Sequence, residues 1–384
     1  MSKIYPKLLS QLNKIVSLPS ISSTNLELDM SNKGVIDFLA ESFESLGFSC
    51  ETIPCNLNNT KHNLIATLGS GPGGLVLAGH TDTVPFDEGL WSCNPFQITE
   101  NEGKIYGLGV TDMKSFFPII MEAVKPLIGK KFKEPLIVLA TADEETSMQG
   151  ARTIAELGRP KARAAVIGEP TGLQPVKAHK GMMMDCIRLK GKSGHSSDPS
   201  LGINALDAMH QIITQLINYR NDLSERYKSE LFTIPHPTLN LGSIHGGDNP
   251  NRICGHCELK FDVRLIPGMN IDTIRGEIRE RVEEVTEPFG IEYEMEKVFD
   301  GIPAFFVEEN SSLLQTAEKL TGHDGISVAF GTEAPFLRNL GMDTVIMGPG
   351  NIDQAHQPDE YMSMDMINPS IEILSRLISH YCLT

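Results

Sequence analysis

The chain has 384 residues, more than one hydrophobic core usually organises, so two domains are expected. Its hydrophobic content of 40% and charged content of 21% are typical of a folded globular protein and exclude extensive disorder. The formal net charge of −16 argues against nucleic-acid binding, because contacts to phosphates require clustered Lys and Arg side chains.

The first predicted element is an N-terminal helix, because residues 1–22 alternate polar and apolar side chains at helical spacing. This segment lacks the uninterrupted apolar core of a signal peptide, and no apolar run approaches the roughly 20 residues that span a bilayer. The seven cysteines are scattered and odd in number, which fits reduced thiols better than a disulfide framework. We therefore expect a cytoplasmic protein that does not bind membranes.

Four short apolar segments follow along the chain, and each leads into residues that can bind a metal. Segments of this length, bounded by glycine and polar residues, are typical of buried strands. Helical patterns such as 115–128 separate them, which predicts an α/β fold with a central mixed, mostly parallel sheet flanked by helices. The segments and the residues after them are LVLAG (75–79) with His80, PLIVLATA (135–142) with Asp143, Glu144 and Glu145, AAVIG (164–168) with Glu169, and TVIMGPG (344–350) with His356.

The middle of the chain, residues 181–298, has a different pattern. Its predicted order is strand, helix, strand, strand, helix, strand, which resembles the ferredoxin-like split unit. We therefore predict an inserted α+β domain over residues 181–298. The metal-binding catalytic domain would then be discontinuous and consist of residues 1–180 and 299–384.

His80, Asp82 and Asp112 each allow a structural and a functional interpretation. His80 and Asp82 lie two residues apart at a predicted strand end, where both side chains can project to the same side. A histidine that binds a metal needs its second nitrogen held by an acceptor, and Asp82 could provide that contact. Asp112 precedes a helix predicted to start near Lys114, so it fits either a helix cap or a carboxylate bridging two cations.

Glu144 and Glu145 form the most informative pair in the sequence. In an extended chain adjacent side chains point in opposite directions, so one could bind a metal while the other faces the substrate as a base. Two carboxylates at the end of a buried strand are costly unless cations or hydrogen bonds compensate. The alternative is a solvated acidic loop.

These residues follow the predicted strands, and sheets of this class place their chemistry beyond the carboxyl ends of the strands. Two imidazoles together with carboxylates suit zinc, cobalt or manganese better than calcium or magnesium. A shared carboxylate would hold two ions roughly 3.5–4 Å apart, as in two-metal hydrolases. The predicted ligands are His80, Asp112, Glu169, His356 and one of the pair Glu144 and Glu145.

Six short motifs contain most of these residues. In chain order they are GHTDTVP (79–85), GLGVTDMKS (107–115), TADEETS (141–147), IGEPT (167–171), SGHSSDP (193–199) and QAHQPDE (354–360). Their order and spacing resemble the zinc-dependent aminoacylase and exopeptidase family, which includes succinyl-diaminopimelate desuccinylase and carboxypeptidase G. The resemblance covers essentially the whole chain, and segments such as GTEAP (331–335) look most like the acetylornithine deacetylase branch. One departure is Ser115, where the family commonly has Gly.

The resemblance implies two Zn²⁺ ions per subunit, with Co²⁺ as a substitute. His80, Asp112 and Glu169 would hold one ion. Asp112, Glu145 and His356 would hold the other, so that Asp112 is shared by both ions. The resemblance further implies a homodimer in which the inserted domain acts as a lid and dimerisation domain.

Other site residues receive their roles from the same resemblance. Glu144 would be the general base, and Asp82 would be the partner that orients the first metal-binding histidine. His195, in the inserted domain, would match a histidine that reaches into the partner subunit's site. Asn251 and Arg264 match positions associated with binding the substrate or its carboxylate.

The expected reaction is deacetylation of N2-acetyl-L-ornithine to L-ornithine and acetate, a step of arginine biosynthesis. Glu333, in GTEAP, would favour the ammonium group of ornithine. Desuccinylation of succinyl-diaminopimelate and dipeptide hydrolysis stay open, because one sequence shows little of the pocket. A non-catalytic binding protein on this fold would have lost ligands or the base, and none of these residues is missing.

Overall fold

The computed structural model describes residues 6–383 and divides into two compact units. Within this part of the chain, the first unit comprises residues 6–177, 307–326 and 332–383, and the second comprises residues 178–306 and 327–331. The predicted insert over 181–298 falls inside the second unit. No helix within residues 6–383 is both long and apolar enough to cross a membrane.

Strands and helices alternate along much of the chain. The strands are β1 (Ser49–Pro54), β2 (His62–Leu68), β3 (Leu75–His80), β4 (Thr99–Asn101), β5 (Lys104–Tyr106), β6 (Leu136–Thr141), β7 (Ala164–Ile167), β8 (Val176–His179), β9 (Gly181–Lys190), β10 (Thr238–Gly246), β11 (His256–Leu265), β12 (Glu292–Ile302), β13 (Phe305–Phe306), β14 (Ile326–Val328), β15 (Asp343–Ile346) and β16 (Tyr361–Ser363). The α-helices are α1 (Pro6–Val16), α2 (Lys33–Glu44), α3 (Phe116–Val124), α4 (Gln149–Leu157), α5 (Ala205–Arg226), α6 (Ile271–Phe289), α7 (Ser312–Thr321), α8 (Ala334–Asn339) and α9 (Ile367–Ile378).

The first unit is built on a sheet in which strands follow the order β1-β2-β6-β3-β7-β15. β6, β3, β7 and β15 are parallel to one another, whereas β1 and β2 add antiparallel pairings at the β6 edge. Every residue of β3, β6 and β7 is buried, as expected for aliphatic strands covered on both faces. Helices pack on this sheet, among them α2 on β2 and α7 on β15. The predicted mixed, mostly parallel sheet flanked by helices is confirmed.

The parallel strands bring distant segments to one edge of this sheet, because their carboxyl ends point the same way. His80 ends β3 and pairs in register with Thr141, the last residue of β6. Glu169 follows two residues after the end of β7. The aliphatic segments identified in the sequence therefore position the polar residues that follow them.

A small sheet with the order β16-β5-β4 fixes the loop before α3. Tyr361 of β16 pairs with Tyr106 of β5, which brings the start of β16 beside the turns formed by residues 108–115. α3 begins at Phe116, slightly later than the predicted start near Lys114. It ends at Val124, and the predicted continuation to 128 is a 3₁₀ turn containing Pro126, which would disrupt an α-helical interior.

The second unit has an antiparallel sheet with the order β10-β11-β9-β12 and the two helices α5 and α6. The chain order β9-α5-β10-β11-α6-β12 is the predicted ferredoxin-like sequence of elements. β12 continues to Ile302, beyond the predicted end at 298. Register shifts after Lys297 and Phe299 interrupt the alternation of the strand, so the sequence pattern does not reveal this continuation. The buried core of this unit lies between its sheet and helices.

Candidate active site

His80 lies at the carboxyl end of β3 with only 1% of its surface exposed. Its Nδ1 is 3.0 Å from the backbone oxygen of Asp82 and 3.7 Å from Oδ1 of the same residue. Its Nε2 is 3.0 Å from Oδ1 of Asp112. Acceptors at Nδ1 orient the ring and direct Nε2 towards Asp112, which is the arrangement that metal-binding histidines use.

Asp112 does not cap α3, which begins four residues later with Ser115 at its N-cap. Its carboxylate instead faces two histidines, because Oδ2 lies 3.4 Å from Nε2 of His356 while Oδ1 contacts His80. One carboxylate therefore stands between two imidazoles. This position fits the shared ligand that the sequence predicted.

Glu360 anchors the loop that carries Asp112, and the sequence analysis did not identify it. Its side chain is buried, and its two carboxylate oxygens accept backbone N–H groups from Gly109, Thr111 and Asp112 at 2.7–3.0 Å. Burial raises the pKa of Glu360 to about 8, although the three N–H donors favour its ionised form. The sequence contained one sign of a role for Glu360, because this residue ends the QAHQPDE motif four residues after His356.

Glu144 and Glu145 lie in a turn, so the prediction of an extended chain at this pair is wrong. The preceding residue, Asp143, has a φ of 57° and redirects the backbone after β6. The buried carboxylate of Asp82 accepts the backbone N–H of Glu144 at 3.2 Å and that of Glu145 at 3.1 Å. Asp82 thus holds the turn as well as contacting the His80 ring.

His356 connects the turn to the Asp112 loop. Its Nε2 lies 3.0 Å from Oε2 and 3.1 Å from Oε1 of Glu145. Its hydrogen bonds with Asp112 and Glu145 raise the pKa of His356 to about 10. One ligand atom from each of His80, Asp112 and Glu145 lies within 4.8 Å of the others, close enough to surround one ion.

Glu169 is 5% exposed, and its Oε1 has no hydrogen-bond partner within the described residues. Burial and the negative charge of Asp112 raise the pKa of Glu169 well above its usual range. A buried carboxylate oxygen without a donor is costly, and a cation removes that cost. This unpartnered oxygen and the His and carboxylate donor set both fit a bound metal.

The carboxylates of this cluster influence one another strongly. Burial and the charge of Glu169 raise the pKa of Glu144 well above its usual range, and burial and Asp112 raise that of Glu145. Asp112 is the exception, because hydrogen bonds from His356 and His80 outweigh burial and lower its pKa. The cluster therefore needs positive charge, which protons on the two histidines or metal ions can supply.

The remaining predicted residues lie in different surroundings. In the second unit, His195 is exposed with Nδ1 2.7 Å from Oγ of Ser197, and Asn251 is also exposed. Arg264, in β11, donates from Nε to Asp262 at 3.1 Å. In the first unit, Glu333 is 1% exposed, and its Oε1 has no partner within residues 6–383.

A sequence profile described as "Peptidase family M20/M25/M40" matches residues 76–380, which is most of the chain. The chain belongs to this peptidase family. The M20 family assignment confirms the predicted hydrolase of amide bonds and the resemblance found in the motifs. In this M20-family chain, His80, Asp112 and Glu145 form a candidate metal site.

Known proteins resemble the chain over nearly its whole length. A protein named acetylornithine deacetylase, from Photorhabdus laumondii subsp. laumondii, is 46% identical over 379 residues, or 99% of this chain and 98% of that protein. The structure of a tripeptidase from Staphylococcus aureus subsp. aureus Mu50 has a TM-score of 0.76 at 20% identity, with 99% of both chains covered. A dinuclear metal-binding M20 peptidase from Bacillus subtilis has a TM-score of 0.67 at 15% identity, with 97% of both covered. At these identities the two structures show a shared fold alone.

Replacing Glu360 with Gln should weaken metal binding. An amide can accept N–H groups at only one of its two positions, so the loop carrying Asp112 loses part of its anchor. We expect metal affinity to fall about 10- to 100-fold, as for other residues that orient ligands. Competition with a chromophoric chelator measures this change, and the exposed Asp365→Asn variant is the control. Equal affinity in both variants would contradict the anchoring role.

Proposed function

We propose that this M20-family chain hydrolyses N2-acetyl-L-ornithine to L-ornithine and acetate in arginine biosynthesis. The observation that carries this proposal is the 46% identity to a protein named acetylornithine deacetylase, which extends over 99% of the chain. The reaction adds water across the amide bond, so that the acetyl carbon gains an oxygen and the departing nitrogen gains a proton. We place the reaction in the cytoplasm, which the seven free cysteines support.

We propose that the chain holds two metal ions, zinc in the native enzyme with cobalt as a substitute. His80, Asp112 and Glu169 would bind one ion, and Asp112, Glu145 and His356 the other. The position of Asp112 between both histidines supports its role as the shared ligand. When bound, such ions lower the pKa of water and polarise the amide carbonyl.

Glu144 is the proposed general base. Its pKa is raised by burial and by neighbouring carboxylates, so it can accept a proton from the attacking water and later deliver it to the amine. Its backbone N–H is fixed by Asp82, which supports a defined position for the side chain on the turn. Asp82 would also keep His80 in the orientation that leaves Nε2 free to bind a metal.

The substrate-binding and dimer roles rest on the family resemblance and on residue chemistry. We propose a homodimer in which the second unit acts as a lid and His195 donates a hydrogen bond to the oxyanion in the partner's site. Asn251 and Arg264 would bind the substrate, with the guanidinium of Arg264 suited to its carboxylate. Glu333 would pair with the side-chain ammonium of ornithine, because its buried oxygen lacks a partner among the described residues.

A panel of purified substrates tests the reaction itself. The metal-loaded enzyme should release ornithine from N2-acetyl-L-ornithine with a higher kcat/KM than it releases diaminopimelate from its succinyl derivative or amino acids from dipeptides. Amine release, measured by chromatography, gives each rate. A higher kcat/KM for the succinyl substrate or for a dipeptide would replace the proposed substrate and retain the hydrolase chemistry.

Replacing Glu144 with Ala should leave metal bound and reduce kcat by roughly 10²- to 10⁴-fold, the usual contribution of a general base. The physical reason is that the attacking water loses its proton acceptor. Elemental analysis measures the metal, and steady-state kinetics measure kcat. Near-normal turnover in a variant with full metal content would remove Glu144 from the mechanism.

Replacing Glu333 with Gln should raise KM for N2-acetyl-L-ornithine, because the ammonium loses a charged partner. A neutral control substrate, N2-acetyl-L-norvaline, lacks the ammonium and should show the same KM in both enzymes. An increase of about 10-fold or more for the ornithine substrate is expected for a lost charge-assisted hydrogen bond. If KM for acetylornithine does not change, Glu333 does not bind the ammonium.

A further inference from the structure

Lys61 is a buried lysine just before β2, in the same unit as the metal cluster. Only 3% of its side chain is exposed, and its Nζ lies 2.7 Å from both Oδ1 of Asp29 and Oδ1 of Asp143. A lysine is rarely buried to this extent unless carboxylates compensate its charge. Although burial opposes protonation, the hydrogen bonds that Lys61 donates to Asp143 and Asp29 raise its pKa, so it stays charged.

Asp143, the second partner of Lys61, is the residue immediately before Glu144 and Glu145. It has a φ of 57°, a backbone conformation that non-glycine residues adopt with strain. Its backbone oxygen accepts N–H groups from Ser147 at 3.1 Å and from Met148 at 2.7 Å, which closes the turn. The position of Asp143 therefore determines where the turn starts.

Asn63 holds the same segment at both of its ends. Its Oδ1 accepts the backbone N–H of Ala142 at 3.1 Å, and its Nδ2 donates to the backbone oxygen of Gly150 at 2.9 Å. Asn63 and Lys61 are two residues apart in extended chain, so their side chains project from the same face. Residues 142–150 are thus held by two side chains, Lys61 just before β2 and Asn63 within it.

Ser22 adds a third contact on the side of the turn that faces the N-terminal segment. Its Oγ lies 2.9 Å from Oδ1 of Asp143 and 2.6 Å from Oγ1 of Thr146. Ser22 is uncharged, so Lys61 is the cationic partner that the structure gives to the Asp143 carboxylate. Removing the ammonium would leave that carboxylate in a partly buried site where, among the residues the structure describes, the Ser22 hydroxyl is its remaining side-chain donor.

We propose that Lys61 is a positioning residue for catalysis, acting through Asp143 on the turn that carries Glu144 and Glu145. The inference rests on the proposed roles of these two glutamates. It adds Lys61 as the residue that keeps their side chains aligned with the other candidate metal ligands. A base displaced by even a fraction of an ångström loses the alignment on which proton transfer depends. The alternative is an ion pair that only stabilises the fold, and this alternative makes different predictions.

The test uses full-length, zinc-loaded enzyme carrying Lys61→Met. We expect kcat for N2-acetyl-L-ornithine to fall about 10- to 100-fold while KM changes less than about 3-fold, because the turn moves and the substrate-binding groups do not. Zinc affinity, measured by chelator competition without substrate, should also fall, because Glu145 lies on the same turn. Lys33→Met is the matched control, since Lys33 forms an exposed pair with Asp37.

Asp143→Asn provides a second variant that preserves size and keeps the proposal testable if Lys61→Met does not fold. It should reproduce the loss of kcat and of zinc affinity, and the double variant should lose no more than the more affected single variant. Losses that multiply in the double variant would overturn the proposal. The proposal would also be overturned if the Lys61→Met and Asp143→Asn enzymes fold and have the same kcat and zinc affinity as the Lys33→Met control.

The zinc measurement separates this proposal from the proposed reaction. If the wild-type enzyme does not release ornithine, the reaction proposal fails, while weaker zinc binding in Lys61→Met still supports the positioning role. If the wild-type enzyme is active and Lys61→Met lowers only the unfolding temperature, the ion pair is structural and the positioning role is wrong.

Discussion

Repulsion between buried carboxylates is the constraint around which the first unit is organised. Asp112, Glu144, Glu145 and Glu169 converge on one edge of a sheet in which strands β3, β6 and β7 are fully buried. Two like charges about 4 Å apart repel by about 4 kcal/mol at the effective dielectric of a protein surface, and by more in drier surroundings. The fold must supply enough rigidity to keep these groups together, and cations complete the balance.

That rigidity comes from carboxylates that are not themselves candidate ligands. Glu360 takes three backbone N–H groups of the Asp112 loop, and Asp82 takes two from the turn carrying Glu145. Each N–H donor satisfies an oxygen of the buried carboxyl group that accepts it, so these acids fix backbone positions without adding an unsatisfied acceptor. The candidate ligands are thereby positioned through their main chain, which leaves their side-chain oxygens available to a metal.

The sequence predicted the parts of this arrangement that depend on local pattern. His80 and Glu169 were found because aliphatic strands end just before them, and the mostly parallel sheet followed from the same segments. The conformation of Glu144 and Glu145 was predicted wrongly, since the extended pattern of β6 gives no sign of the positive φ at Asp143. Glu360 and Lys61 were missed because their roles depend on contacts with residues far away in sequence, which a linear pattern does not reveal.

The position of β15 has a consequence for biosynthesis. It pairs with β7, yet all of the second unit's residues and all of α7 are translated between the two strands. Until β15 leaves the ribosome, the aliphatic β7 has an unpaired edge, a feature that favours association with other chains. His356 and Glu360 emerge later still. The nascent protein can complete its antiparallel unit first, whereas the candidate metal cluster is assembled only after residues 356–360 have been translated.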